Sequence, residues 1–139
     1  MITAFHRLRR SHPDARLVVV PRHPERALFA VAAALPYSEL RVDLLSRLPD
    51  DWDIAVADRI GLLFDLYAAA EAAFLGGSLV QKGGQNPLEP ALLEVPTAHG
   101  PDMADFPDTE RMDRMGAARC VGSAHELAAV CSLDRRGVV

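Results

Sequence analysis

The chain has 139 residues, half of them hydrophobic and 24% charged, with fifteen Lys and Arg against nineteen Asp and Glu for a net charge of −4. That is the length of one domain with a packed core, and the composition is that of a globular protein rather than a disordered one. The acidic balance and 6% aromatic content argue against a nucleic-acid partner, which would call for a basic face or stacking platforms. No apolar run approaches the roughly 20 residues of a membrane span, and the first residues carry no secretory apolar segment. Two cysteines, Cys120 and Cys131, are too few for a disulfide framework or a zinc cluster. They read as two reduced core thiols in a cytoplasmic setting.

Residues 2–10 space Ile2, Phe5 and Leu8 three apart among arginines, which predicts a short amphipathic helix that Pro13 and Asp14 break. Leu17-Val18-Val19-Val20 is a continuous β-branched run, as in a strand buried on both faces, and Pro21 ends it. Pro24-Glu25 opens a helix to about Leu35. Residues 53–57 predict the second strand, 62–70 a helix and 72–75 a third strand running into Gly76-Gly77-Ser78. A glycine-rich loop covers 76–86, a helix 87–94, a fourth strand 95–98, a charged helix 103–116 and a last strand 118–121. Ser123 and Glu126 form a capping box for a final helix with Leu127, Val130 and Cys131 on one face. This alternation predicts an α/β fold: a Rossmann-like parallel sheet with helices on both faces, in one domain spanning 1–139. Ligands of such sheets bind beyond the carboxyl ends of the strands. The loops 21–24, 57–62, 76–87 and 99–103 are therefore where chemistry belongs.

In loop 21–24, Arg22 projects from a strand end, where its planar fork suits a phosphate; it could equally be a surface arginine paired with Glu25 or Asp58. His23 reads best as a solvated loop residue. Gly61 lies where a strand gives way to a helix, and either admits a positive φ or lets a ligand approach. Loop 76–87 holds Gly76, Gly77, Gly83 and Gly84 in a spacing that matches neither a P-loop nor a dinucleotide fingerprint. Asn86 and Glu89 stand at cap and N3 positions around Pro87, so they either start a helix well or meet a sugar or phosphate there. Next to a phosphate Glu89 would be repelled, so sugar hydroxyls suit it better. Ser78 and Lys82 could meet an anion, or be solvated.

Taken together, four segments resemble one family. They are Leu17-Val18-Val19-Val20-Pro21-Arg22-His23-Pro24-Glu25-Arg26; Asp58-Arg59-Ile60-Gly61-Leu62-Leu63 with Tyr67-Ala68; Phe74-Leu75-Gly76-Gly77-Ser78-Leu79; and Gly83-Gly84-Gln85-Asn86-Pro87-Leu88-Glu89-Pro90-Ala91. They look like the 3-deoxy-D-manno-octulosonic acid (Kdo) transferases of lipopolysaccharide synthesis, strongly over 17–107 and loosely afterwards. The resemblance implies the C-terminal, nucleotide-binding half of a GT-B glycosyltransferase, with CMP-Kdo as donor and lipid A precursor as acceptor. Position by position it assigns CMP contacts to Pro21 and Arg22, to Ile60, Gly61 and Leu62, and to Asn86, Pro87, Leu88 and Glu89. Leu62 stands where the family usually has an acidic residue, so a contact there falls to backbone. Gln85 stands where histidine is common.

The resemblance further implies an inverting displacement that needs no cofactor and no metal. A base would deprotonate the acceptor hydroxyl, which attacks the anomeric carbon as CMP leaves. The base, the acceptor site and the membrane anchor of such enzymes lie in an N-terminal domain. This chain therefore reads as an N-terminally truncated piece, inactive in isolation, of a protein at the cytoplasmic face of the bacterial inner membrane. Two alternatives stay open: a non-catalytic nucleotide-binding module, and another GT-B enzyme such as a nucleotide-sugar epimerase or an N-acetylglucosaminyl transferase.

Overall fold

The computed structural model describes residues 1–131; the last eight residues, which the single-domain expectation includes, lie outside them. The chain divides into two compact units, Ile2–Leu63 and Phe64 onward. The expected α/β class with parallel strands is borne out, its strands forming two three-stranded sheets rather than a single one.

The first unit opens with helix α1 (Ile2–Leu8), which buries Ala4 and Phe5. Strand β1 (Leu17–Val19) follows. A 3-10 turn at Pro24–Arg26 leads into α2 (Ala27–Ala32), then β2 (Val42–Leu44) and β3 (Ile54–Val56). The sheet order is β1-β3-β2, all parallel, with Val19 and Leu44 both in register with Val56. Because β3 takes the centre, all three of its residues are buried. β1 is an edge strand, half-buried, and Val20 beyond it is exposed. The β-branched run at 17–20 thus misplaced the buried strand, since hydrophobicity alone does not tell a centre from an edge. β2 escaped the sequence altogether: it is three residues long, and its middle residue is Asp43. Phe5, Ala27, Ala34, Ile54 and Val56 make the core.

The second unit holds α3 (Leu63–Ala69, whose first residue belongs to the first unit), β4 (Ala73–Leu75), α4 (Leu88–Leu92), β5 (Thr97–His99), α5 (Thr109–Arg114), β6 (Ala118–Cys120) and α6 (Ala124–Cys131). Its parallel order is sequential, β4-β5-β6, and again the central strand is fully buried. β5 starts at Thr97, later than expected, because Pro96 has no N–H for the ladder; its carbonyl instead accepts from Ala73 N at 2.9 Å. α5 is shorter than the expected 103–116. Pro107 excludes helix for the residue before it. At the other end Gly116 adopts φ +74 while Ala117 N bonds Met112 O, a Schellman stop. In α6 the buried residues are Leu127 and Ala128, with Val130 and Cys131 only half-buried. Ser123 caps it, accepting from Glu126 N at 3.2 Å. Cys120 and Cys131 are free thiols, but Cys120 is exposed on an edge strand and is not a core residue. Among the described residues no helix is long and apolar enough to cross a membrane, and no cluster of His, Cys, Asp or Glu could hold a metal.

Candidate functional site

In the first unit, the residues expected to meet a ligand leave the carboxyl edge of two paired strands. Ala57 N donates to Val19 O at 2.9 Å, so the chains after β1 and β3 stay side by side for one more residue. Beyond that latch, Pro21 is half-buried and Arg22 exposed. Arg22 makes no hydrogen bond or ion pair with any described residue. Neither alternative partner holds it: Glu25 Oε1 lies 3.7 Å from His23 Nδ1, and Asp58 accepts from Ser46 Oγ. Asp58 thereby ties the end of β3 to the turn after β2. The Ser46 hydroxyl is the main influence keeping its carboxyl below the ordinary carboxylate value, and its Oδ1 is buried without a hydrogen-bond partner. Ile60 is 81% exposed, Leu62 half-buried, and Gly61 adopts φ +85 with open space where a Cβ would stand. Backbone conformation, not crowding, requires that glycine.

In the second unit, the loops after β4 and β5 are laced together. Ser78 is fully buried; its Oγ donates to Leu75 O and accepts from Gly100 N at 2.7 Å. Gly100 lies so close that a Cβ there would collide with the Ser78 backbone. Asp102 N donates to Ser78 O at 2.9 Å, and Asp102 Oδ2 accepts from Gly83 N at 2.8 Å. That amide holds the Asp102 carboxyl below the usual carboxylate range. His99, also buried, spans from Gly100 O (Nδ1, 2.7 Å) to Asp113 Oδ1 on α5 (Nε2, 2.9 Å).

The glycine loop ends at Asn86. Asn86 Oδ1 accepts from Leu88 N at 3.1 Å and so serves the first amide of α4, although the helix starts at Leu88, with Pro87 rather than Asn86 at the cap position. Glu89 departs from the capping-box expectation: its Oε1 accepts from the Asn86 side-chain amide at 3.3 Å instead of the Asn86 backbone. Pro87 is fully buried, Leu88 exposed and Glu89 half-buried. Tyr67 on α3 has its hydroxyl pushed above its ordinary value, first by burial and then by the charge of Glu89. A shallow concavity of about 330 Å³ opens beside these loops, lined by Ser78, Leu79, Val80, Gln81, Pro101 and Asp102. It includes neither Asn86 nor Glu89. Lys82 is exposed.

The structure therefore brings Pro21 and Arg22 to the same sheet edge as Ile60, Gly61 and Leu62, and sets Asn86, Pro87, Leu88 and Glu89 at the corresponding edge of the second sheet. The sequence marked loop 99–103 by its place after a strand and Tyr67 as part of a matched segment, but it assigned no role to Tyr67, His99, Asp102 or Met103, which the structure makes neighbours of these loops.

No protein-family model matches the chain. It is 38% identical over 118 residues to the 3-deoxy-D-manno-octulosonic acid transferase of Haemophilus influenzae, covering 81% of this chain and 27% of that protein. The transferases of the same description from Aquifex aeolicus (29% over 116 residues; 79% and 32%) and Chlamydophila psittaci (36% over 112 residues; 78% and 26%) are similar. The chain thus spans about a quarter to a third of the length of these relatives. A crystal structure of the C-terminal CMP-Kdo binding domain of WaaA from Acinetobacter baumannii shares the fold, with TM-score 0.74 at 22% identity, over 93% of this chain and 86% of that one. The family resemblance carried by residues 17–107 is borne out: the chain is homologous to part of the Kdo transferases.

Proposed function

We propose that this chain is the donor-binding domain of a Kdo transferase, residues 1–139 acting as one domain that holds CMP-Kdo. The observation that carries the reading is that all three segments matched to CMP contacts leave carboxyl ends of parallel strands, or open the helix after one. Strand ends of that kind are where open α/β sheets bind ligands.

Each segment has a role that fits its chemistry. The Arg22 guanidinium, unpartnered and exposed, takes the CMP phosphate through paired N–H donors. Backbone at Ile60, Gly61 and Leu62 approaches the nucleotide where the positive φ of Gly61 turns the chain. Asn86 and Glu89, with Pro87 and Leu88 between them, face the ribose; the Glu89 carboxylate accepts from sugar hydroxyls.

The whole reaction is an inverting displacement. An acceptor hydroxyl of lipid A precursor loses its proton to a base, attacks the anomeric carbon of Kdo, and CMP departs with the bonding pair. Arg22 and the loop amides stabilise the charge on the departing phosphate. The base, the acceptor site and attachment at the cytoplasmic face of the inner membrane are assigned to the greater length of the relatives that this chain does not span. Calorimetric titration of the 139-residue chain with CMP should show saturable one-site binding. The same chain, given CMP-Kdo and lipid A precursor, should make no product above a no-protein control. Absence of CMP binding overturns the donor-binding reading; turnover overturns the division of labour.

A further inference from the structure

The loop that follows β5 is tied to the glycine loop that leads to Asn86 by polar contacts that lie outside the sheet ladder. Asp102 Oδ2 accepts from Gly83 N, Asp102 N donates to Ser78 O, and Asp105 N donates to Gly83 O at 3.3 Å. A Cβ at Gly83 would strike the Asp105 carboxylate, and one at Gly84 the sulfur of buried Met103. Both glycines hold positive φ, +74 and +82. Gly83-Gly84 is thus seated on residues 102–105 from one side, two residues before Asn86. The Asn86 and Glu89 side chains are in turn bonded to one another and to the first turn of α4. Glycine adopts such positive φ values freely, so the close approach to residues 102–105, and not strain, is what seats the loop.

We propose that residues 102–105 are a positioning element for the Asn86–Glu89 segment, and that Asp102 is the positioning residue through which it acts. The proposal rests on the donor-binding reading and deepens it. The Asp102 carboxylate accepts from two loop amides, Gly83 N and Ala104 N, and the residue is half-buried. Its loss therefore shifts the glycine loop without dismantling the fold. An asparagine there keeps an oxygen for the Gly83 amide; an alanine does not.

The test uses the 139-residue chain with CMP as probe, in wild type, Asp102→Ala and Asp102→Asn, alongside amide hydrogen exchange at Gly83 and a thermal melt. Asp102→Ala should bind CMP about tenfold more weakly, and Asp102→Asn within about threefold of wild type. Exchange at Gly83 should quicken in the alanine variant alone. Equal CMP affinity in all three proteins overturns the positioning role. Equal weakening in both variants overturns it as well, because it makes the charge, not the amide bond, the working feature. So does a fall of more than a few degrees in the melting temperature of Asp102→Ala, which would make the residue structural. A wild-type chain that binds no CMP brings down the donor-binding reading itself, a result distinct from the other three.

Discussion

Both units build a sheet of three parallel strands whose central one is fully buried, yet they treat their carboxyl-edge loops in opposite ways. In Ile2–Leu63 the edge is open: Arg22 is unpartnered, Ile60 is 81% exposed, and nothing crowds Gly61. In the second unit the edge is laced by Ser78, Gly100, Asp102 and Gly83, and Gly83, Gly84 and Gly100 are crowded on one side. On the donor-binding reading proposed above, the difference is one between two ways of preparing for an anionic ligand. One leaves a long cation unspent, so that ligand binding supplies its first partner. The other settles backbone shape beforehand, so that less ordering is left to do on binding.

Glycine substitutions break this comparison with the largest expected effect. Gly100→Ala forces a Cβ into the Ser78 backbone, which no rotamer change can relieve, and should cost about 3 kcal/mol of stability. Gly61→Ala meets open space and should cost about 1–2 kcal/mol, the strain of a left-handed residue. Urea unfolding of the two variants measures both. Similar costs at the two sites would erase the contrast.

Arg22→Ala tests the open edge by binding instead of stability. With no native partner to lose, the variant should unfold like wild type. Its CMP affinity should fall by about 1.5–3 kcal/mol, the value of a hydrogen bond to a charged group. Arg22→Lys should restore only part of this, since lysine lacks the planar fork. Calorimetry on the three proteins decides; undiminished affinity in Arg22→Ala leaves it a surface residue.

These loops also show what was legible in the sequence. Strand ends announced themselves through Pro21 and through the glycines at 61 and 76–77, so the carboxyl-edge placement of Arg22, Gly61 and Asn86 could be read directly. What could not be read was pairing between segments distant in sequence. The Asp102–Gly83 bond joins residues nineteen apart, in two loops that the sequence marks separately without showing that they meet. Nor does any local pattern say that Leu17–Val19 lies at an edge while Ile54–Val56 lies at the centre. β2 was lost because three residues with an aspartate in the middle give no period to detect. Asn86 was half-legible: its bond to the first amide of α4 is local and was foreseeable, whereas the turn of Glu89 toward the Asn86 side chain depends on geometry that spacing does not fix.

The first unit has its own tie away from the open edge. Asp53 is buried and pairs with Arg9, while its Oδ2 accepts from Arg41 N at 2.8 Å. Burial acts to raise its pKa, but the Arg41 amide and then Arg9 outweigh it, and the net direction is down. A carboxyl depressed in the fold stabilises fully above its unfolded value, about 3.9, and that stabilisation is lost as pH falls from there through the folded value. Asp53→Asn should therefore cost about 1–2 kcal/mol at pH 7 and flatten the loss of stability below about pH 4. Unfolding curves from pH 7 down to pH 3 check the sign. A variant as acid-sensitive as wild type would mean that other carboxylates set the acid limit.

The smallest expected effect falls on Glu89, where capping and ligand contact share one side chain. In the fold Glu89 Oε1 accepts from the Asn86 amide, and Asn86 in turn accepts from Leu88 N. A glutamine keeps an oxygen for that contact, so Glu89→Gln should leave the melting temperature within a degree or two, the shift of a few tenths of a kcal/mol. If the carboxylate also accepts from ribose hydroxyls, removing its charge weakens those bonds and CMP affinity should fall by about 1 kcal/mol. Tyr67 supplies a second reading of the same site. Its hydroxyl is pushed up partly by the Glu89 charge, so in the glutamine variant its titration should move back toward the ordinary value. A Tyr67 shift without any change in CMP affinity would leave Glu89 as an electrostatic neighbour and helix cap, and would place the ribose contact of the laced edge on Asn86 alone.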